Sequence, residues 1–160
     1  MKRAFQSMLF GTIFLAALAG ITPISQAGQC SFGSSAGNFG FTLTGVVILP
    51  TGPVPIAAVG RANLDAAGNV SGTESRSVGG GFADETFTGT YAVNADCIGT
   101  TTINFYESGQ LVRTSVLSLV FDNNSREIRM VQKSLQLPNN AFLPVVITVE
   151  ARRISFEAED

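Results

Sequence analysis

The chain has 160 residues, a net charge of −2 and neither histidine nor tryptophan. Without histidine there is no Ser-His-Asp or Cys-His catalytic machinery, and the commonest ligand for zinc, copper and non-haem iron is missing. The acidic balance argues against nucleic-acid binding, because affinity there depends on neutralising phosphates with Lys and Arg.

The first 27 residues have the three-part layout of a secretory signal peptide. Lys2 and Arg3 carry positive charge, Leu9–Gly20 is an uncharged apolar run, and residues 25–27 (Ser-Gln-Ala) place small side chains where a signal peptidase cuts. The apolar run is shorter than the roughly 20 residues of a membrane span, which disfavours the alternative of an uncleaved anchor. We therefore expect cleavage after Ala27, a secreted or periplasmic location, and no membrane attachment of the mature chain.

Residues 28–160 have the size of a single domain. Loss of Lys2 and Arg3 reduces the basic residues from 10 to 8 against 12 acidic ones, so the mature net charge is −4. Cys30 and Cys97 both lie in this domain. In an oxidising compartment such a pair is most simply a disulfide, with two free thiols as the alternative.

The sequence after the signal peptide predicts an all-β domain. Val, Ile, Thr and Phe alternate with other residues and are interrupted by Gly, Asn, Asp and Pro, and no apolar period of 3.6 residues is sustained. The pattern predicts these strands in chain order: Asn38–Leu49, Ile56–Leu64, Val70–Ser77, Asp84–Val93, Gly99–Tyr106, Leu111–Phe121, Glu127–Lys133 and Val145–Ile154.

The connections between the predicted strands are short. Residues 51–55 are predicted as a loop, because Pro53 and Pro55 cannot donate to a strand ladder. Residues 79–81, three consecutive glycines, are predicted as a flexible turn. Few of the connections are long enough for a crossover, so the strands are expected to pair with their neighbours in the sequence.

Eight sequential strands predict an antiparallel meander, which removes its exposed edges best by closing into a β-barrel. A barrel of this size has an interior that is either filled by side chains or just large enough for one small ligand. A two-sheet β-sandwich is the alternative. The barrel is favoured because short hairpins dominate and no Greek-key crossover is evident.

The central segment Gly89–Thr100 reads GTYAVNADCIGT and resembles a motif of uncharacterised exported bacterial proteins, G-T-Y-x-V-N-x-D-C followed by G-T. Residues 30–32, 37–41 and 59–72 fit the same group. The resemblance implies export and carries no activity. In layout the chain is also similar to the allene-oxide-cyclase and dirigent barrels and to the calycins, which implies a barrel architecture but assigns no function.

Carboxylates are the candidate catalysts that remain. Asp84, Glu85, Asp96 and Glu107 lie near predicted strand ends, and two carboxylates at a suitable separation can hydrolyse a glycosidic bond. Linear spacing does not fix that separation, and acidic residues at strand ends are ordinarily solvated turn groups. We expect no catalytic, metal or cofactor site.

Phenylalanine is abundant, with 12 in the chain. A barrel lined by these rings can admit an apolar ligand, whereas a barrel filled by them has a packed core. We place a candidate pocket at Phe87, Tyr91, Phe105 and Glu107. Three functions follow, in order of preference: a non-enzymatic exported barrel that binds a small apolar ligand, an extracellular structural or interaction module, and a cofactor-free cyclase-like or carboxylate-dependent enzyme.

Overall fold

The computed structural model describes residues 30–154, so the predicted signal peptide lies outside the described residues. The described part contains one short helix, α1 (Phe32–Ser35), and nine β-strands. The strands are β1 (Gly37–Leu49), β2 (Gly52–Leu64), β3 (Asn69–Val78), β4 (Gly81–Val93), β5 (Ile98–Glu107), β6 (Gln110–Asp122), β7 (Glu127–Gln136), β8 (Phe142–Leu143) and β9 (Val145–Arg153). No helix in residues 30–154 is long and apolar enough to cross a bilayer.

The strands form one closed antiparallel barrel. Consecutive strands from β1 to β7 pair with each other, β7 pairs with β9, and β9 pairs back to β1. The two-residue β8 pairs with the end of β7 and is additional to the eight long strands. The prediction of an all-β antiparallel meander that closes into a barrel is confirmed, and the sandwich alternative does not apply.

Alternation along the strands separates the interior of the barrel from its surface. In β4, Phe87 and Tyr91 are buried inside the barrel, whereas Thr86, Thr88 and Thr90 are exposed outside. Successive side chains of a strand point to opposite faces, so a period of two in hydrophobicity dictates which face turns inward. β4 therefore turns Phe87 and Tyr91 toward the core and its threonines toward solvent.

The predicted loop at residues 51–55 is wrong, because β2 begins at Gly52 and both prolines pair with β1. The carbonyl oxygen of Pro55 accepts a hydrogen bond from the N–H of Gly79 at 2.9 Å. The N and C=O groups of one strand residue point to the same side, so Pro55, and Pro53 two residues earlier, direct their nitrogens away from β1. The β1–β2 ladder therefore loses no donor to the prolines.

The two ends of the barrel differ. The end that we call the capped end carries α1, the turns after β2, β4 and β6, and the predicted disulfide between Cys30 and Cys97, which is confirmed. The opposite end, which we call the hairpin end, carries the turns after β1, β3 and β5. The four-residue α1 was not predicted, because a single turn is too short to show a helical period. Its first turn is capped by Ser31, whose hydroxyl accepts from the N–H of Ser34.

The buried apolar side chains form two clusters along the barrel axis. One includes Phe39, Phe87 and Tyr91, and the other includes Leu43 and Ile147. Side chains of both clusters line a cavity inside the barrel. The eight long strands of the barrel thus enclose an apolar space.

Candidate functional site

The candidate site is the internal cavity, whose volume is about 70 Å³. Its wall is mainly aromatic and aliphatic, and includes Phe39, Phe87, Phe105, Leu117, Met130 and Ile147. Five polar side chains other than Tyr91 complete it: Glu74, Thr101, Arg113, Ser115 and Gln132. A mostly apolar space with a few polar groups is the usual composition of a small-molecule site.

A buried ion cluster forms part of this wall. Arg113, near the start of β6, donates from Nη2 to Oε1 of Glu74 at 2.6 Å and from Nη1 to Oε2 of Glu85. Glu74 and Glu85 lie directly opposite each other on β3 and β4, so the guanidinium group bridges two carboxyl groups of neighbouring strands. The exposed fractions of the Glu74, Glu85 and Arg113 side chains are 1%, 0% and 10%.

A second arginine extends the cluster toward the hairpin end. Arg76 donates from Nε to Oε1 of Glu85 at 2.8 Å, and its Nη2 lies 2.7 Å from the same oxygen. Nη2 of Arg76 also lies 3.8 Å from Oε2 of Glu107. The formal charges of the buried part, two carboxyl groups and two guanidinium groups, balance.

An aromatic ring of the core packs against the guanidinium group of Arg113. Its guanidinium carbon lies 3.8 Å from the centroid of the Phe105 ring, within the range of a cation–π interaction. The Phe105 ring in turn packs against the Phe87 ring at a centroid distance of 5.4 Å. Arg113 is thus fixed by two carboxyl groups and by a ring of the core, so its donors have little freedom to move.

The Glu74 carboxyl group is the incompletely paired member of the cluster. Its Oε1 accepts from Arg113, but its buried Oε2 has no hydrogen-bond partner among the described residues. Burial raises the pKa of Glu74 from its usual 4.5 to about 7; the charge and hydrogen bond of Arg113 oppose the increase, and a hydrogen bond to Glu85 and the charge of Glu85 add to it. Glu74 is therefore a group that exchanges its proton near neutral pH while lining an apolar cavity.

Glu85 behaves in the opposite way. Burial raises its pKa, but the hydrogen bonds and positive charges of Arg76 and Arg113 lower it by more, so the net pKa lies below the usual 4.5. The two facing carboxyl groups thus have pKa values on opposite sides of their usual value. Glu85 is the ionised partner, and Glu74 is the one that takes up the proton.

The structure brings three of the four predicted pocket residues to the cavity. Phe87, Tyr91 and Phe105 all line it. The Tyr91 hydroxyl points to the capped end and donates to the carbonyl oxygen of Asp65 at 2.7 Å, and burial raises its pKa. Glu107 does not line the cavity: it is the last residue of β5, and its side chain is 48% exposed.

The other acidic candidates lie outside the cavity. Asp84 is exposed on the outer face and accepts from the Ser75 hydroxyl at 2.6 Å, and Asp96 is exposed in the turn after β4. Across the described residues, no group of three or more Cys, Asp or Glu side chains is placed to hold a metal ion.

Sequence reasoning missed Glu74 and Arg113, although the sequence contained a signal for both. Glu74 has the same strand parity as the inward-facing Val70, and Arg113 has the same parity as Leu117 and Leu119. A charged residue at an inward position of a barrel strand must be paired inside the protein, because an isolated buried charge is very unfavourable.

No protein-family model matches this chain, and no curated protein matches it in sequence. Any function must therefore be argued from the barrel and its cavity.

Proposed function

We propose that this protein is an exported, non-enzymatic β-barrel that binds one small apolar molecule inside the barrel. The observation that carries the proposal is the cavity of about 70 Å³ with walls of Phe, Leu and Ile side chains. Natural interiors are close-packed, so an apolar space of this kind within a closed barrel supports a binding role. The export part of the proposal also draws on the resemblance to exported bacterial proteins.

The cavity volume limits the size of the ligand. An engineered apolar cavity of about 150 Å³ accepts benzene, so a rigid cavity of about 70 Å³ accommodates on the order of three non-hydrogen atoms. Met130, an unbranched and adaptable side chain, is part of the wall and can move to admit a slightly larger molecule. The ligand class is therefore that of the smallest organic molecules.

Two other functions fit less well. A structural or interaction module with a solid core does not account for the cavity, although Val59, Phe142 and Val146 are exposed apolar residues of the kind that it requires. A hydrolase with a carboxylate pair requires two acidic groups that face the substrate. Among the described residues, Glu74 lines the cavity, whereas Glu85 is occupied by its two arginines.

Export is supported by the Cys30–Cys97 disulfide, because disulfides persist in oxidising compartments. The full chain, expressed with its own N-terminus, is expected to yield an exported protein that begins at Gly28. Its intact mass should be two hydrogens lower than that of the reduced chain. A protein that is retained in the cytoplasm with Met1 still attached would contradict export.

Xenon tests binding without requiring any polar contact, since apolar cavities bind it. In methyl NMR spectra of oxidised residues 28–160 under xenon pressure, Met130 and Ile147 should show saturable shifts. Ala62→Leu, which adds three carbons at the wall, should abolish these shifts. Val59→Leu, on the exposed outer face, should leave them unchanged. Linear shifts without saturation would contradict the presence of a binding cavity.

A further inference from the structure

We propose that the outer face of β1, β2 and β9 near the hairpin end is the contact surface of a weak dimer, formed with the same face of a second copy of this chain. We call this surface the apolar face and define it by six residues on these neighbouring strands: Val46, Ile48, Pro53, Pro55, Ala57 and Val146. None of the six lines the internal cavity, so the proposal does not depend on ligand binding.

The register of the sheet places these side chains next to one another. Val46 pairs with Val146 of β9 on one side and with Pro55 of β2 on the other, so three apolar side chains form a row across three strands. Residues directly opposite each other in an antiparallel pair have their side chains on the same face. Ile48 and Pro53 form the next row toward the hairpin end. The apolar face is therefore continuous and does not consist of scattered exposed positions.

The apolar face is open to solvent in the described part of the chain. Val146 is 62% exposed and Ile48 is 42% exposed, and Val59, at 57%, continues the face along β2. From the sizes and exposures of these side chains, the apolar area is roughly 500 Å², as large as the largest apolar patch on a typical monomer. Apolar patches of that size are often functional, because they gain free energy when they are covered.

The charge pattern favours a second copy as the partner. Residues 37–60, which form β1 and most of β2, contain no charged side chain. The protein is acidic, so two copies repel each other, and contact through the uncharged face keeps the charges of both copies at its periphery. A partner that is recognised by its charge has nothing to pair with on this face. A bilayer also fits poorly, because the six residues include none of the basic or aromatic side chains that hold proteins at a membrane surface.

The structure of the face suits a two-fold contact, and its area predicts that the contact is weak. Two sheet surfaces pack face to face with their side chains interdigitated, and two-fold symmetry, the commonest in homo-oligomers, places the same patch on both sides. Two copies of the apolar face bury roughly 1,000 Å² in total, which is below the area of a standard stable complex. The dissociation constant is therefore expected between about 10 μM and about 1 mM.

Sedimentation velocity of the oxidised mature protein tests the association. Between about 10 μM and about 2 mM, the weight-average sedimentation coefficient should rise from the value of a monomer toward that of a dimer. An increase in ionic strength from about 0.02 M to about 0.5 M should strengthen the dimer, because salt screens the repulsion between two acidic copies. Association that weakens with salt would instead indicate a contact made by ion pairs and overturns the proposal.

Val146→Glu tests whether the apolar face forms the contact. The dissociation constant should rise at least tenfold, because each dimer then buries two charges without partners. Val120→Glu is the matched control, since it changes the net charge equally. Val120 is 46% exposed on the outer face of β6, on the opposite side of the barrel from β2. The dissociation constant of this control should stay within about threefold of the wild-type value, as expected for a surface substitution away from the contact.

Methyl NMR of the wild-type protein locates the contact without any substitution. The methyl resonances of Val46, Ile48 and Val146 should shift saturably with protein concentration, whereas those of Val120 should not. A protein that stays monomeric up to about 2 mM overturns the proposal. So does association that Val146→Glu leaves intact, because the contact then lies on another face. A monomer whose Val146 methyl groups respond to phosphatidylcholine vesicles also overturns it, in favour of a lipid surface as the partner.

Discussion

Arg113 holds two buried carboxyl groups that would otherwise repel each other across β3 and β4. Replacing a buried ion cluster with apolar side chains is often neutral or stabilising, so its presence is weak evidence of a need for stability. Here one carboxyl oxygen of the cluster is left without a partner beside a cavity. The cluster by itself is therefore no evidence that these charges stabilise the fold.

The raised pKa of Glu74 makes the stability of the barrel depend on pH. Folding favours the protonated form, so this stabilisation is complete below pH 4.5 and is lost as the pH rises through about 7. The difference in unfolding free energy between wild type and Glu74→Gln, which cannot ionise, should therefore change by about 3 kcal/mol between about pH 4 and about pH 8. The wild type is the one that loses stability as the pH rises, and urea unfolding at both pH values measures the change.

Glu107→Gln serves as the control for this experiment, because the Glu107 side chain is 48% exposed. Its unfolding free energy should stay within about 0.5 kcal/mol of the wild-type value at both pH values, as is usual for surface substitutions. A constant difference between wild type and Glu74→Gln across the pH range would show that folding leaves the pKa of Glu74 unchanged.

The residues of the site were only partly predictable from the sequence. Phe87, Tyr91 and Phe105 could be placed inside the barrel because strand parity is a local property. The contact between Glu74 and Arg113 could not be predicted, because β3 and β6 are not neighbours in the sheet. Which side chains meet across a barrel depends on strand tilt and stagger, and neither is fixed by linear spacing.

At the scale of the strands, two glycines provide space for aromatic rings on neighbouring strands. Gly60 lies opposite Phe41, and Gly72 lies opposite Phe87. A Cβ atom at either glycine would overlap the facing ring and a backbone carbonyl oxygen. The rings of Phe41 and Phe87 also contact each other edge to face, at 6.0 Å between centroids. The glycines thus allow Phe41 and Phe87 to pack against each other. Phe87 in turn contacts the Phe105 ring, which lies against Arg113.

Gly72→Ala should destabilise the protein by about 1–3 kcal/mol, the range for overpacking a filled core. The added methyl group would overlap the Phe87 ring and the carbonyl oxygen of Arg61, and the backbone oxygen cannot move away cheaply. Gly40→Ala is the matched control, because the nearest atom to its Cβ would be Cδ1 of Ile154 at 3.5 Å, an ordinary contact. Urea unfolding measures both variants, and equal stabilities would contradict the role of Gly72.

Over the whole molecule, the barrel closes because β9 pairs with both β1 and β7. This closure was predictable, since eight strands with alternating apolar and polar residues and short turns leave no other simple way to remove the exposed edges of the sheet. The cavity was not predictable. Whether a barrel of this size is filled or hollow depends on how side chains of non-neighbouring strands meet, such as Leu43 of β1 and Leu117 of β6.

At the capped end, one disulfide bond and several noncovalent contacts join the N-terminal segment to the barrel. Cys30 is bonded to Cys97 across a sequence separation of 67 residues, and the Phe32 ring packs edge-on against Tyr91 at 5.3 Å. Arg153, at the end of β9, donates to the carbonyl oxygen of Ala36 at 2.7 Å. The noncovalent contacts fix the folded geometry, so the disulfide acts mainly on the unfolded chain.

The double variant Cys30→Ala/Cys97→Ala should therefore fold into the same barrel and lose about 4 kcal/mol of unfolding free energy, the chain-entropy value for a loop of this length. Far-ultraviolet circular dichroism should be unchanged, and the urea midpoint should fall. The wild-type protein in reductant is the matched control, because it loses the bond and keeps both side chains, and its midpoint should fall by a similar amount. If the double variant loses the barrel altogether, the disulfide is needed to form the folded state, and α1 with its noncovalent contacts does not hold the capped end by itself.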